Sequence, residues 1–237
     1  MCDLTNPAFT DEDKASEAIE TSRWPNGAAC PSCGLTETVS KLGGKSMGAG
    51  WYHCRQCREK FTVRTGTVME RSKVPLHKWL YSMYLLVTAR KGISSLQLAK
   101  EIGITQKSAW FVLGRLREAC SGPDSPLDKL RGTVAVDECF VGGKEANKHE
   151  HKKLKAGRGS VGKVAVLGMR ERGGRTHAMV IPDTGLATIQ NEIHGAYVDE
   201  FTFRLNEGNV ANHTTRRLDS FVDATVGKRL TYRRLIA

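Results

Sequence analysis

The spacing of apolar residues predicts three helices in the first half of the chain. Between residues 76 and 87, apolar side chains recur at the spacing of a helix with one buried face. Two further helices are predicted over 96–102 and 105–120, separated by Gly103. Residues 1–23 are acidic and have no such period, so we expect a flexible tail there.

From residue 133 onward the pattern changes to the apolar and β-branched runs that are typical of strands. Three such runs cover 133–141, 163–169 and 176–181. The linker 142–162 is rich in lysine and glycine, and residues 196–237 are predicted to form one or two helices. A helical half followed by a strand-rich segment predicts a multi-domain α+β chain.

The segment 94–120 has the layout of a helix-turn-helix, with small residues where the two helices would meet. This packing predicts four core residues: Leu98, Ile102, Val112 and Leu116. It leaves five residues of the second helix facing outward: Gln106, Lys107, Ser108, Trp110 and Arg115. Polar and basic side chains at the start of a recognition helix suit the major groove of DNA, which makes Gln106, Lys107, Ser108 and Arg115 candidate contacts. A helical hairpin that packs only on protein is the alternative.

The charge balance favours a polyanionic partner. The 237 residues include 36 Lys and Arg against 25 Asp and Glu, which gives a net charge of +11. Such an excess is attracted most simply to nucleic acid, and Lys152, Lys153 and Lys155 in the linker are candidate DNA contacts. No apolar run approaches the ~18 residues of a membrane span, so we expect no membrane partner.

Four of the seven cysteines form two Cys-x-x-Cys pairs, Cys30 with Cys33 and Cys54 with Cys57. The distance between the pairs agrees with a four-cysteine zinc site. Because no signal peptide is recognised, we expect a reducing compartment, the cytoplasm, where paired cysteines favour metal over a disulfide. Four thiolates suit a tetrahedral Zn²⁺, so we predict a zinc ribbon over 24–63. Two unrelated redox pairs are the alternative.

Asp137 interrupts the apolar run of the first predicted strand. A carboxylate within a buried strand costs on the order of several kcal/mol unless it is paired or binds a metal. Alternation places Asp137 and Glu138 on opposite faces, so only one of them can join a given site. The run therefore predicts either a metal-binding carboxylate or a structural one, bonded to a neighbouring amide or to Lys144.

The order of these parts resembles the bacterial insertion-sequence transposases that join a zinc ribbon to an RNase H-like DDE core, the ISXO-like group. The motifs that carry the resemblance are Cys30-Pro-Ser-Cys33-Gly34, Tyr52-His-Cys-Arg-Gln-Cys57 with Phe61, Thr65-Gly-Thr67, Val136-Asp-Glu138 with Gly142-Gly-Lys144, Pro182-Asp-Thr184, Ala196-Tyr-Val-Asp-Glu-Phe201 and Gly227-Lys-Arg-Leu-Thr-Tyr232 with Leu235-Ile236. The resemblance implies transposon ends of double-stranded DNA as the partner, a nucleoid-associated cytoplasmic location and a homodimer.

The resemblance also implies that Asp137 is the first catalytic aspartate and a ligand of Mg²⁺. The family has a second aspartate on a fourth strand and a third metal-site residue near a His-Thr-Asn motif, and neither is found between Ile193 and Ala196. The simplest interpretation is an internal deletion at the junction of Ile193 and His194. Asp199 as the second aspartate is the alternative, although its neighbours fit the late helix better.

These predictions give the following domain order: a flexible acidic tail (1–23), a zinc ribbon (24–63), a helix-turn-helix domain (64–121), a truncated RNase H-like α/β domain (131–195) and C-terminal helices (196–237). The predicted function is that of an insertion-sequence transposase that retains DNA binding but is catalytically incomplete. A non-catalytic zinc-ribbon and helix-turn-helix regulator is the alternative, although it leaves the strand 134–141 unexplained.

Overall fold

A computed structural model describes residues 5–43, 50–89, 92–120, 133–142, 145–154, 160, 162–181, 196–207 and 211–231. These residues form six α-helices and two three-stranded sheets, an α+β composition that agrees with the sequence. The chain divides into two compact units: Met1–Cys120 together with Glu207–Ala237, and Ser121–Asn206. None of the described helices is both long enough and apolar enough to cross a membrane.

The elements follow one another along the chain as α1 (Glu12–Arg23), β1 (Val39–Leu42), β2 (Trp51–Cys54), β3 (Lys60–Thr62), α2 (Leu76–Thr88), α3 (Ser95–Ile102), α4 (Gln106–Cys120), β4 (Val134–Val141), β5 (Val164–Glu171), β6 (Thr176–Ile181), α5 (Ala196–Asn206) and α6 (Thr214–Ala224). Short 3-10 turns cover Pro7–Phe9, Glu145–Asn147 and Glu150–Lys152. The second unit contains β4, β5, β6 and α5, and the other elements belong to the first.

The first 23 residues contain a packed helix, so the prediction of a flexible tail is wrong. The Asp11 carboxylate caps α1 by accepting a hydrogen bond from the backbone N–H of Lys14 at 2.9 Å. Ile19 is fully buried, and the Phe9 ring lies 5.2 Å from the ring of Tyr84 in α2. So few apolar residues face inward from this acidic segment that they produce no visible period.

The ribbon segment is an antiparallel sheet of order β1-β2-β3 with a small apolar core. The Trp24 ring stands edge-on to the rings of Tyr52 and Phe61, at 5.3 and 5.9 Å between centroids. Helix α1 is fastened to the sheet because the Tyr52 hydroxyl donates a 2.7 Å hydrogen bond to the Glu20 carboxylate. A core of this size gives little stability by itself, so the ribbon needs a further cross-link.

Helices α3 and α4 lie where the apolar spacing predicts them. The predicted core residues are all buried, none more than 5% exposed: Leu98, Ile102, Val112 and Leu116. Gly103 follows α3 in the left-handed conformation, with φ at 61°, and its N–H bonds to the carbonyl of Ala99. The helix pair and its core are confirmed, and its use in reading DNA stays a prediction.

In the second unit, β5 is the central strand of an antiparallel sheet of order β4-β5-β6. Helix α5 packs against β6, and the Asn206 side chain fastens it. That amide both donates to the carbonyl and accepts from the N–H of Thr176, each at 2.8 Å. The buried core of this sheet consists of Ala165, Leu167, Met169 and Ile181.

Strand β4 is exposed along nearly its whole length, which contradicts the prediction of a buried strand. Within the described residues it pairs only with β5, so its other edge has no strand partner there. Val136 and Phe140 are consequently 59% and 42% exposed. The apolar pattern could not reveal this, because burial of a strand depends on the strands and helices that cover it.

The predicted C-terminal domain 196–237 is divided between the two units, since α5 belongs to the second and α6 to the first. In the first unit, Phe221 of α6 is fully buried and an Nη1 atom of Arg217 donates to the carbonyl of Val87 at 2.9 Å. The N–H of Val68 also donates to the carbonyl of Thr225 at 3.2 Å. The chain therefore leaves the helical unit after α4 and returns to complete it.

Candidate zinc centre and nucleic-acid interface

The four predicted zinc ligands converge on one point, although they come from two separate turns. The sulfur atoms of Cys30, Cys33, Cys54 and Cys57 all lie within 4.8 Å of one another. Those of Cys33 and Cys54 are 3.7 Å apart. Four sulfurs bound at ~2.3 Å to a tetrahedral Zn²⁺ would lie about 3.8 Å apart. The donor set and its spacing therefore fit a structural Zn²⁺.

Hydrogen bonds in the cluster shift the pKa values of two thiols in opposite directions. The backbone N–H of Cys57 and the Thr38 hydroxyl both contact the Cys54 sulfur, and they lower the pKa of Cys54 to about 6. The neighbouring Cys33 thiol and burial raise the pKa of Cys57. Four thiols within 4.8 Å of one another can all be ionised only when a cation offsets their charge. The sequence did not identify Thr38, because its position before β1 carries no signal.

The start of α4 presents two of the predicted DNA contacts to solvent. Gln106 and Lys107 are exposed in its first turn. The Ser108 N–H donates to the Thr105 hydroxyl oxygen at 3.2 Å, and the two hydroxyl oxygens are 2.9 Å apart. Ser108 therefore takes part in the cap of the helix. The helix dipole makes this end of α4 positive, which suits an anionic ligand.

Arg115 does not face outward, so its prediction as a DNA contact is wrong. It is only 7% exposed, and its guanidinium donates hydrogen bonds to three backbone carbonyls. Nε reaches Leu230 at 3.0 Å, and Nη1 reaches Val68 at 2.8 Å and Glu70 at 2.9 Å. Burial lowers the pKa of Arg115 from its usual range. The side chain joins α4 to two distant segments, a role that a helical pattern cannot indicate.

Replacing Arg115 with alanine is expected to destabilise the first unit by roughly 2–4 kcal/mol, because three carbonyls lose their donor. Urea unfolding followed by tryptophan fluorescence measures this change. Arg115→Lys is expected to recover less than half of the loss, since one ammonium cannot reproduce the fork of donors. The exposed Arg229→Ala serves as the control. A variant of Arg115 that loses DNA affinity at unchanged stability would restore the original prediction.

Of the three candidate linker lysines, Lys153 is the one whose side chain the structure describes. The Lys153 ammonium pairs with the Glu150 carboxylate at 2.6 Å, next to the 3-10 turn Glu150–Lys152. The side chain of Lys152 and the whole of Lys155 lie outside the described residues. For Lys153, the ion pair reduces the charge that is available to a phosphate.

Asp137 is exposed on β4, opposite Gly168 of β5. Its carboxylate accepts the backbone N–H of Glu138 at 2.9 Å, which is the neighbouring-amide contact of the structural interpretation. In the described part of the chain, the four cysteines are the one group of three or more close metal-ligand side chains. Asp199 lies in the first turn of α5 and not on a strand. The structure thus assembles no three-ligand cluster around Asp137 from described residues.

Two family models match the chain. A transposase zinc-ribbon domain matches residues 10–60, which include α1, and an ISXO2-like transposase domain matches residues 129–200. An uncharacterized protein in the transposable element ISH50 of Halobacterium salinarum is 35% identical over 133 residues. The match covers 56% of this chain and 43% of that protein, so the chain spans less than half of its relative's length. No solved structure matches.

The comparisons and the geometry coincide on the same residues. Two of the four cysteines precede β1 and two lie at or just after the end of β2, all within the matched ribbon, and Asp137 lies on β4, in the matched transposase domain. Both matched domains come from the same group of mobile-element proteins, and they occur in the order that the sequence motifs indicate. The chain therefore resembles the IS1595-type insertion-sequence transposases in both matched domains and in their order.

Proposed function

We propose that this transposase chain is catalytically incomplete and retains the ability to bind double-stranded DNA. The proposal is supported by the contrast between the first unit and the surroundings of Asp137. The first unit contains a complete four-cysteine cluster and a well-packed helix pair, whereas Asp137 stands on an exposed strand without two further ligands among the described residues. A protein of this kind would compete with an intact transposase for the same DNA ends.

For DNA binding, the exposed start of α4 is the part that enters the major groove. Gln106 can form a bidentate pair with adenine, and Lys107 can donate to guanine or to a phosphate. The positive end of the helix adds attraction to the phosphates. The linker lysines add contacts that do not depend on sequence, and the net charge of +11 favours the encounter.

For strand cleavage, the family chemistry would place Mg²⁺ at Asp137. Two divalent ions ~4 Å apart stabilise the attacking and leaving oxygens, and they need a cluster of carboxylate-type ligands. Asp137 alone cannot position both ions. Within the described residues, β4 has a strand partner on one edge only, which agrees with the loss of a neighbouring strand. The deletion that we infer, between Ile193 and His194, falls outside the described residues.

Lys107→Ala is expected to weaken binding to DNA from the flanks of its own gene about tenfold, since a base contact contributes roughly 1–3 kcal/mol of discrimination. The preference over an unrelated duplex is expected to shrink as well. Fluorescence anisotropy with labelled duplexes measures both quantities. Lys100→Ala on the exposed side of α3 is the matched control, with an expected change below about twofold.

The linker lysines give a second, different signature. Replacing Lys152, Lys153 and Lys155 together is expected to weaken both duplexes equally and to flatten the salt dependence by up to ~3 units of slope. If Lys107→Ala also weakens binding to both duplexes equally, α4 contributes only its positive charge to DNA binding and does not read the sequence. Binding that does not depend on salt, or no binding by the parent chain, would favour a helix pair that packs only on protein.

A further inference from the structure

Each Cys-x-x-Cys turn, called a knuckle here (residues 30–35 and 54–59), is closed by the same backbone hydrogen bond. The N–H of Cys30 donates to the carbonyl of Leu35, and the N–H of Cys54 donates to the carbonyl of Glu59, each at 3.0 Å. In both turns the residue before the acceptor follows the second cysteine directly. Gly34 and Arg58 therefore occupy equivalent positions in two equivalent turns.

Both positions require the left-handed backbone conformation, but only one of them carries a glycine. The φ angle is 75° at Gly34 and 58° at Arg58. A Cβ atom added at Gly34 would meet nothing within 4 Å, so it is the backbone and not crowding that makes glycine the favourable residue there. An arginine in this conformation carries strain that glycine would relieve.

An arginine in the left-handed conformation occurs at a second position. Among the described residues, the non-glycine residues with positive φ are Arg58 and Arg71. Both are exposed arginines, whereas asparagine and aspartate are the residues that tolerate this conformation best. Persistent strain at exposed positions is a feature of functional sites, because stability alone would select against it.

The surroundings of Arg58 indicate the chemistry of the partner. Arg55, Arg58 and Lys60 are all exposed around the second knuckle. The one acidic residue among them, Glu59, accepts a hydrogen bond from the Ser32 hydroxyl at 2.5 Å. A guanidinium matches the geometry of a phosphate better than any other side chain. A knuckle with these exposed basic side chains fits the phosphodiester backbone of a nucleic acid.

We propose that Arg58 is a DNA-phosphate contact and that the strained conformation of the second knuckle is retained for this contact. The proposal rests on the proposed DNA binding and adds a second contact surface, on the ribbon, to the one on α4. It predicts an opposite effect of one substitution on stability and on affinity. A residue with a purely structural role cannot produce that combination.

The competing explanation is that Arg58 offsets the negative charge of four thiolates around zinc. In that case its removal would weaken zinc retention. The phosphate contact predicts the reverse, because glycine relieves the backbone and leaves the thiolates untouched. Zinc retention and DNA affinity, measured on the same variants, therefore separate the two explanations.

The test uses the full zinc-loaded chain with Arg58→Gly, Arg58→Lys and the matched control Gly34→Ala. Zinc release on heating is followed with a colorimetric chelator, and binding to a labelled mixed-sequence duplex is followed by anisotropy over a range of salt concentrations. We expect Arg58→Gly to retain zinc to a temperature a few degrees higher. Its affinity is expected to fall about fivefold, with a salt slope smaller by about one unit.

The controls fix the interpretation. Gly34→Ala is expected to release zinc at a lower temperature and to bind DNA normally, and Arg58→Lys to keep most of the affinity. Parental affinity in Arg58→Gly, or earlier zinc release from it, would overturn the inference while leaving DNA binding by α4 intact. A parent chain that binds no duplex would overturn the proposed function and this contact together.

Discussion

Changing Cys54 to serine is expected to release zinc and to unfold the ribbon, residues 24–63. The apolar core of the ribbon consists of a few side chains around Tyr52 and Phe61, too few to hold it without the metal. In zinc-finger peptides, structural zinc contributes about 10–16 kcal/mol of apparent binding free energy, which is folding free energy. Bound zinc per chain, measured by elemental analysis, is expected to fall from one equivalent towards zero.

The loss is expected to remain within the first unit. Hydrogen exchange resolved by segment is expected to increase over 24–63 and over α1, because the Glu20 carboxylate of α1 is bonded to Tyr52 of the ribbon. The β4-β5-β6 sheet is expected to exchange as in the parent. Cys139→Ser, which changes an exposed cysteine outside the ribbon, is the matched control. Full zinc occupancy in a Cys30 and Cys54 double variant would contradict the four-cysteine site.

Local signals in the sequence were sufficient for the zinc ligands and for α2, α3 and α4. The cysteines lie in short turns, so their spacing alone places two thiolates from each turn near one point. The helices from α2 to α4 each bury a continuous apolar stripe, so their period is visible without knowledge of the partner. Gly103 marks the end of α3 for a similarly local reason, its left-handed conformation.

Features that depend on distant segments could not be predicted. Arg115 is polar, so a pattern argument places it in solvent, yet three carbonyls from elsewhere in the unit supply its partners. Helix α1 was missed because its few inward side chains contact the ribbon and α2. The exposure of β4 follows from which strands pair with it, a property of the sheet and not of the strand.

The division of the C-terminal helices has the same origin. Helix α6 resembles α5 in length and lies close to it in sequence, yet it completes the unit that contains α2. The contact of Arg217 with Val87 joins residues 130 positions apart. The apolar spacing within either helix does not indicate which of the two units the helix belongs to.

No metal-dependent strand cleavage is expected from this chain, in spite of its match to a transposase domain. Ligands of a two-metal site act as a unit, so the loss of two of three removes nearly all transition-state stabilisation. Asp137→Ala is expected to leave DNA affinity unchanged. It is also expected to change the free energy of unfolding by less than about 0.5 kcal/mol, because the carboxylate is exposed and not buried as the sequence suggested. Anisotropy and urea unfolding measure these two quantities.

The central claim is that the chain binds DNA but cannot cleave it. A nicking assay on bound DNA tests this claim most directly. The substrate is end-labelled DNA that carries the flanks of the chain's own gene, with Mg²⁺ or Mn²⁺, at protein concentrations at which anisotropy reports saturation. We expect full binding and no cleavage above the level without metal, in the parent and in Asp137→Ala alike. Metal-dependent nicking by the parent that disappears in both Asp137→Ala and Asp199→Ala would contradict this account and assign the chain an active catalytic site.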